Sequence, residues 1–216
     1  MPRPAKKPPT HTVVHLVRHG KTPSTGKVLP GRAPGLHLSE EGHAQARAAA
    51  ERLAALPVAP VAVYASPLER TKETAAPISK ALGLKTITNR GLLECDFGEW
   101  TGQSLAKLSK LAAWRTVQGA PSTFRFPGGE SFLEMQRRGF ETVLELARAH
   151  RGSSIVAVSH ADPIKAIVAS AAGVPLDLFQ KLVISPCSIT TLLVADHGVL
   201  VLGVNATATL SELVPS

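Results

Sequence analysis

A mainly parallel sheet with helices on both faces, a three-layer α/β/α arrangement with an antiparallel edge strand, is the fold that this sequence predicts. Three observations carry the expectation. Short apolar runs rich in β-branched residues alternate with longer stretches of helical period, which is the pattern of a parallel sheet covered on both sides. The chain closes with two such runs around Asp196, His197 and Gly198, which read as a hairpin at the sheet edge. At 216 residues it can bury the core of one α/β domain, and nothing forces a second.

Taken in order, the opening residues interleave Arg3, Lys6 and Lys7 with Pro2, Pro4, Pro8 and Pro9. A disordered basic tail is expected over 1–11, ahead of one domain over 12–216. Val13 to Val17 is an apolar run too short for a helix and suits a buried strand. From Ser39, a candidate N-cap, Ala46, Ala49, Ala50 and Leu53 recur at helical spacing. Val61 to Ala65 reads as a second strand running into Ser66 and Pro67, an N-cap and first helical residue for a helix to Leu82, stopped at Gly83. Phe140, Val143, Leu144 and Ala147 mark one face of a helix from Ser131 to His150. Ser153 to Ser159 is the next buried strand, Asp162 to Ala172 the helix that returns from it, with Asp162 and Pro163 as its start. Ile189 to Val194 and Val199 to Val204 form the closing hairpin. Residues 101–129 are the least regular part, weakly helical around Leu105 to Trp114 and otherwise rich in Pro, Gly, Ser and Thr, a candidate lid.

Composition narrows the function. Lys and Arg total 24 against 16 Asp and Glu, a net charge of +8 that favours anionic partners without choosing among phosphoesters, nucleic acid and lipid. No stretch approaches the roughly 18 apolar residues of a membrane span, and no apolar segment follows the basic start as in a signal peptide. A cytoplasmic protein without a membrane partner is expected. Cys95 and Cys187 read as small buried residues rather than as a disulfide framework or zinc knuckle. The Asp residues, at 96, 162, 177 and 196, are too scattered for a two-metal carboxylate cluster. No metal or other cofactor is expected. His11, His15, His37, His43, His150 and His197 share no ligand spacing and read as surface or polar-face residues, and Trp100 and Trp114 as packing residues.

Five segments carry the chemistry. The first strand ends in Arg18, His19, Gly20, Lys21 and Thr22, where sheets of this kind present their sites. Ser66, Pro67, Leu68, Glu69, Arg70 and Thr71, with Thr74 and Ala75, start a helix; Glu94, Cys95, Asp96, Phe97 and Gly98 follow a short apolar pair; Gly128, Gly129, Glu130 and Ser131 open another helix; Ser159 and His160 end the later strand. In this order the set resembles the histidine phosphatase superfamily, the phosphoglycerate mutase-like proteins, over about Val14 to Val204.

A phosphoryl group in transfer spreads charge over three equatorial oxygens, so a site without metal needs fixed cationic donors converging on one point. Arg18, Arg70 and His160 can serve, the arginines through their planar forks. The resemblance implies a covalent route in which His19 takes the phosphoryl group and water then releases it. Neutral His19 is required for attack, and nearby Arg18 and Arg70 favour that state. Glu94 is the candidate general acid, with Asp96 and Glu99 as competitors. Thr22 and Thr25 can donate hydroxyl bonds to phosphate; Lys21, Arg32 and Lys165 lie near site segments and are candidate substrate contacts.

The chain also departs from the family. Lys21 stands where many relatives have an acid, Thr25 where they have a phosphate-holding Asn, and Ala161 and Asp162 where they have two glycines. The stretch between Glu94 and Gly128 is shorter than in cofactor-dependent mutases and lacks their paired arginines. The expected activity is hydrolysis of a small phosphorylated substrate, with mutase-type transfer as the alternative and a non-catalytic phospho-ligand or nucleic-acid binder as a third reading. Nucleic acid is a weaker candidate partner, because binding alone needs neither Glu94 nor a nucleophilic histidine. A homodimer is compatible with the sequence.

Overall fold

Strand β1 (Thr12–Arg18) shows why the sheet forms as it does. Val14 and Leu16 turn to one face, His15 and Val17 to the other, and all four are buried. Burial on both faces belongs to a strand inside a covered sheet. The structure, a computed structural model, describes residues 11–209, so nearly all of the expected tail lies outside the described residues. β2 (Ala62–Ala65) and β3 (Thr86–Thr88) come next in the chain, followed by β4 (Ser154–Ser159), β5 (Ile189–Ala195) and β6 (Gly198–Ala206). Their order is β3-β2-β4-β1-β5-β6. The pairs β2/β3, β2/β4 and β1/β4 are parallel, and β5 and β6 complete the sheet antiparallel, as the closing hairpin requires.

The described helices are α1 (Glu40–Ala54), α2 (Glu69–Leu82), the short α3 (Leu105–Leu108) and α4 (Ala112–Gly119), α5 (Phe132–Ala149) and α6 (Ala161–Ala172). On one face Ala50 and Leu53 of α1 and Ala75 and Ile78 of α2 pack on Val17, Val63, Val156 and Val158. On the other, Val143 and Leu146 of α5 and Ile164 and Ile167 of α6 pack on Val14, Leu16 and Ile155. Period-two alternation along each strand therefore decides which helix pair a residue meets. Cys95 and Cys187 are both buried.

Several local expectations are corrected. Helix α2 begins at Glu69 with Leu68 as N-cap, not at Pro67. The Ser66 hydroxyl is occupied by His160 instead, and Thr71 Oγ1 turns back to the Ser66 and Leu68 carbonyls, closing the turn before the helix. Helix α6 begins one residue early, with His160 as N-cap, so Asp162 sits inside the first turn, where a carboxylate suits the helix dipole and pairs with Lys165 at 3.5 Å. Strand β3 went unread because three residues carry no readable period. The weakly helical stretch resolves into α3 and α4. His15 is no surface residue: it is buried and bonds Thr191 Oγ1 across the β1/β5 pair at 3.1 Å.

A second core lies beside the sheet. Phe97, Trp100, Phe126, Phe132 and Phe179 are buried there with Leu108, Val117 and Met135, and Trp114 and Phe124 pack against them. Of the 6 Phe and 2 Trp in the chain, all but Phe140 belong to this cluster. Phe126 meets Phe97, Phe124 and Phe132 edge-on at 4.8, 5.0 and 5.2 Å, a favoured aromatic geometry. Both tryptophans are packing residues, as expected, and the irregular segment is anchored by rings.

Candidate active site

The parallel pairing of β1 and β4 sets Arg18 beside Ser159, so the next residues, His19 and His160, leave the sheet together. Their ring centroids are 5.2 Å apart. His19 N–H donates to the Ser159 carbonyl at 2.9 Å, which ties the two strand ends. The loop beyond His19 is held against α1: the Lys21 carbonyl accepts from Ser39 N and Oγ, and Lys21 N donates to Gln45 Oε1. Contact here is so close that a Cβ on Gly42 would stand 2.1 Å from the Lys21 carbonyl oxygen. Gly20 N donates to Thr74 Oγ1 of α2 at 3.0 Å.

His19 Nδ1 lies 2.8 Å from the Gly20 carbonyl. A carbonyl only accepts, so Nδ1 carries the proton and Nε2 keeps its lone pair. Burial, then the charges of Arg18 and Arg70, hold the His19 pKa well below the usual value, so the ring is neutral at ordinary pH. His160 is fully buried, and burial, Arg70 and His19 lower its pKa likewise. Its Nδ1 accepts from Arg70 Nη2 at 3.2 Å, which leaves Nε2–H to donate to Ser66 Oγ at 2.9 Å. The expectation of a standing cation at His160 is thereby corrected: it is a neutral imidazole oriented by Arg70 and Ser66.

The arginines supply the charge. Arg70 is fully buried, and its Nη2 also bonds the Gly31 carbonyl at 2.8 Å. Its Nε and Nη1 have no hydrogen-bond partner. Arg18 Nη1 bonds the Ile184 carbonyl at 2.6 Å, while its Nε is buried and unpartnered. Native structures seldom leave such donors unsatisfied.

Glu94 is buried, with Oε1 accepting from Cys95 N at 2.9 Å and Oε2 at 3.9 Å from His160 Nδ1. Its pKa is pushed up to about 7, first by burial and then by the negative charge of Asp162, against the pull of Arg70 and Arg18. The competitors stand apart: Asp96 pairs with Arg32 and caps Gly98 N, and Glu99 is exposed.

The added cations are not brought into the ring. Lys21 Nζ pairs with Glu41 at 2.8 Å, Lys165 with Asp162, and Arg32 bonds Glu130 at 2.8 Å and the Glu94 carbonyl at 2.8 Å. Thr22 and Thr25 bond each other, Oγ1 to Oγ1 at 3.0 Å, and Thr25 Oγ1 also accepts Thr22 N. With one proton in their shared bond, at most one of the two hydroxyls is left to donate outward. Sequence reasoning missed Ser66 as a partner of His160, and Arg138, which bonds Glu130 and the Gly91 and Leu93 carbonyls. Neither carried a local signal beyond membership of a helix start or helix face. Among the described residues no group of three His, Cys, Asp or Glu is placed to hold a metal ion.

Comparison with known proteins gives the chain's family. The sequence pattern of the histidine phosphatase superfamily (branch 1) matches residues 14–207. Phosphoserine phosphatase 1 of Hydrogenobacter thermophilus is 30% identical over 204 residues, spanning 91% of this chain and 93% of its own. A 2,3-bisphosphoglycerate-dependent phosphoglycerate mutase of Brucella anthropi is 33% identical over 179 residues, 77% of this chain and 84% of its own. Among solved structures, the mycobacterial glucosyl-3-phosphoglycerate phosphatase superposes with a TM-score of 0.81 at 26% identity, covering 91% of this chain and 100% of that one. The match over residues 14–207 and these relatives settle the lineage: the chain is a member of the histidine phosphatase superfamily, branch 1.

Proposed function

We propose that the chain hydrolyses small phosphomonoesters through a phosphohistidine on His19, and that Arg18, Arg70, His160 and Glu94 complete the catalytic set. The observation that carries this reading is Arg70, fully buried with two of its three guanidinium nitrogens, Nε and Nη1, unpartnered. A guanidinium left this way is costly unless an anion completes it. A phosphoryl group offers three oxygens to those donors and to Arg18 Nε.

In the first step His19 Nε2 bonds phosphorus, the bond from phosphorus to the leaving oxygen breaks, and that oxygen takes the Glu94 proton. In the second, water attacks phosphorus, its proton passes to the Glu94 carboxylate, and the bond to His19 breaks to release phosphate. Neutral His160, oriented by Arg70 and Ser66, stands beside His19 and helps to set the nucleophile's ring for attack.

A mutase would share the first step and pass the phosphoryl group to a second alcohol. Between 101 and 129 the cations Lys107, Lys110, Arg115 and Arg125 are all exposed, which favours water as the acceptor over an anionic one. In this reading the segment governs substrate choice, since residues 102–105 are tied to 27–29 of the loop after His19 by backbone bonds such as Leu29 N to Gln103 O at 2.9 Å.

Two measurements test the proposal. Rapid quench with labelled p-nitrophenyl phosphate is expected to trap acid-labile label on the wild type and none on His19→Ala, which also loses turnover. Faster interconversion of phosphoglycerate isomers than phosphate release would replace hydrolase by mutase, and normal turnover by His19→Ala would end both.

A further inference from the structure

The strongest unused feature is a cluster of charges behind Glu94. Glu130, the residue before the N-cap of α5, accepts from Arg32 Nη2 at 2.8 Å, from Arg138 Nε and Nη2 at 3.0 Å each, and from Asp96 N at 3.1 Å. Its own N–H donates to the Asp96 carbonyl at 2.9 Å. From the two arginines, donors continue into the same strip of backbone. Arg138 reaches the carbonyls of Gly91 at 2.7 Å, Leu93 at 3.0 Å and Glu94 at 3.4 Å, and Arg32 Nε reaches the Glu94 carbonyl at 2.8 Å. The peptide groups on both sides of Glu94 are thereby pinned by Arg32 and Arg138, from two separate segments, and Glu130 ties both arginines and the Asp96 peptide into one cluster.

The Glu94 carboxyl is held differently. It accepts from Cys95 N, its own neighbour. Where that carboxyl points is therefore dictated by the backbone carrying it, and the backbone is fixed by the cluster. The approach is tight: a Cβ on Gly129 would stand 2.3 Å from the Asp96 carbonyl oxygen. As a device for stability alone the arrangement has little to recommend it, because partly buried ion pairs roughly break even against apolar packing.

We infer that Glu130, clamped between Arg32 and Arg138, is a positioning residue for the acid catalyst, acting through the backbone of residues 91–96. The inference rests on Glu94 being the proton donor. Misplacing a catalytic group by about 1 Å costs up to roughly a hundred-fold in rate. The loss must follow the leaving group, because an activated aryl phosphate needs little protonation and an alkyl phosphate needs much.

The experiment compares phosphoserine, with a poor leaving group, and p-nitrophenyl phosphate, with a good one, across Glu94→Gln, Glu130→Gln and the double variant. Glu130→Gln is expected to lose about ten- to a hundred-fold in kcat on phosphoserine, less than about three-fold on p-nitrophenyl phosphate, with KM little changed. The double variant is expected to be no slower on phosphoserine than Glu94→Gln, because a misplaced acid cannot be lost twice. Glu141→Gln, in an exposed pair with Arg137 on the same helix, should match the wild type. Equal losses on both substrates, or additive losses in the double variant, would overturn the inference. If Glu94→Gln itself shows no leaving-group dependence, the assignment of the acid fails first. Arg32→Lys, which keeps the charge but not the fork, repeats the comparison should Glu130→Gln not fold.

Discussion

Glu94, the proposed proton donor, shows what burying a carboxyl costs the molecule that holds it. An unfolded chain gives up this proton near 4.5, whereas burial and then Asp162 push the folded value up to about 7. Between those values the folded state holds a proton that the unfolded state has lost, so stability falls as pH rises through the window, by up to about 3 kcal/mol above it. Glu94→Gln does not titrate. Urea unfolding is therefore expected to find the variant gaining on the wild type from about pH 5 to about pH 8, although it is the poorer catalyst; equal behaviour at both would refute the burial argument. If Glu94 is the acid as proposed, the basic limb of kcat/KM is expected near 7 with poor leaving groups and the acid limb, set by His19, below 6.5; a pH–rate profile with phosphoserine checks both. His19, Arg70, Glu94 and His160 were legible because each sits in a short contiguous segment that resembles a family. Ser66 and Arg138 were not, since His160 lies 94 residues from the one and the Glu94 carbonyl 44 residues from the other. Lys21 and Arg32 mislead for the converse reason: nearness in sequence to His19 did not place their charges beside it.

At the scale of elements, the nucleophile loop depends on one helix turn. Gly42→Ala sets a methyl group against the Lys21 carbonyl, where backbone must move and neither side can yield cheaply. A loss of about 2–4 kcal/mol is expected, together with a fall in kcat, because Lys21 is two residues from His19. Gly119→Ala, at the end of α4 with nothing within 4 Å, should instead be neutral or gain a few tenths of a kcal/mol; thermal melts of the two variants check both. Helix α5 starts where read, because Ser131 and Glu134 form a reciprocal capping box. The start of α2 was misread by the same rule, since tertiary demand took the Ser66 hydroxyl for His160. Local rules hold at exposed helix ends and yield where a site needs the side chain.

For the whole molecule, the covered sheet and the antiparallel edge were legible from alternation and the closing turn, whereas the aromatic core was not, because its seven rings are scattered between Phe97 and Phe179. The net charge of +8 belongs to encounter rather than to chemistry. Raising salt from roughly 20 to 200 mM is expected to lower kcat/KM for a dianionic substrate by about three- to ten-fold and leave kcat nearly unchanged; an equal fall in both would place the effect at the reacting groups. The pairing of Arg18 with Ser159 has a consequence for how this chain tolerates insertions and deletions. Successive residues of a strand face opposite ways and advance by about 3.3 Å. A single residue gained or lost inside β1 or β4 would carry one histidine past the other and turn it to the wrong side, with every apolar neighbour inverted as well. Length variation among descendants of this chain is therefore expected in the loops, where it alters what is bound, and excluded from two short strands, where it would erase the reaction.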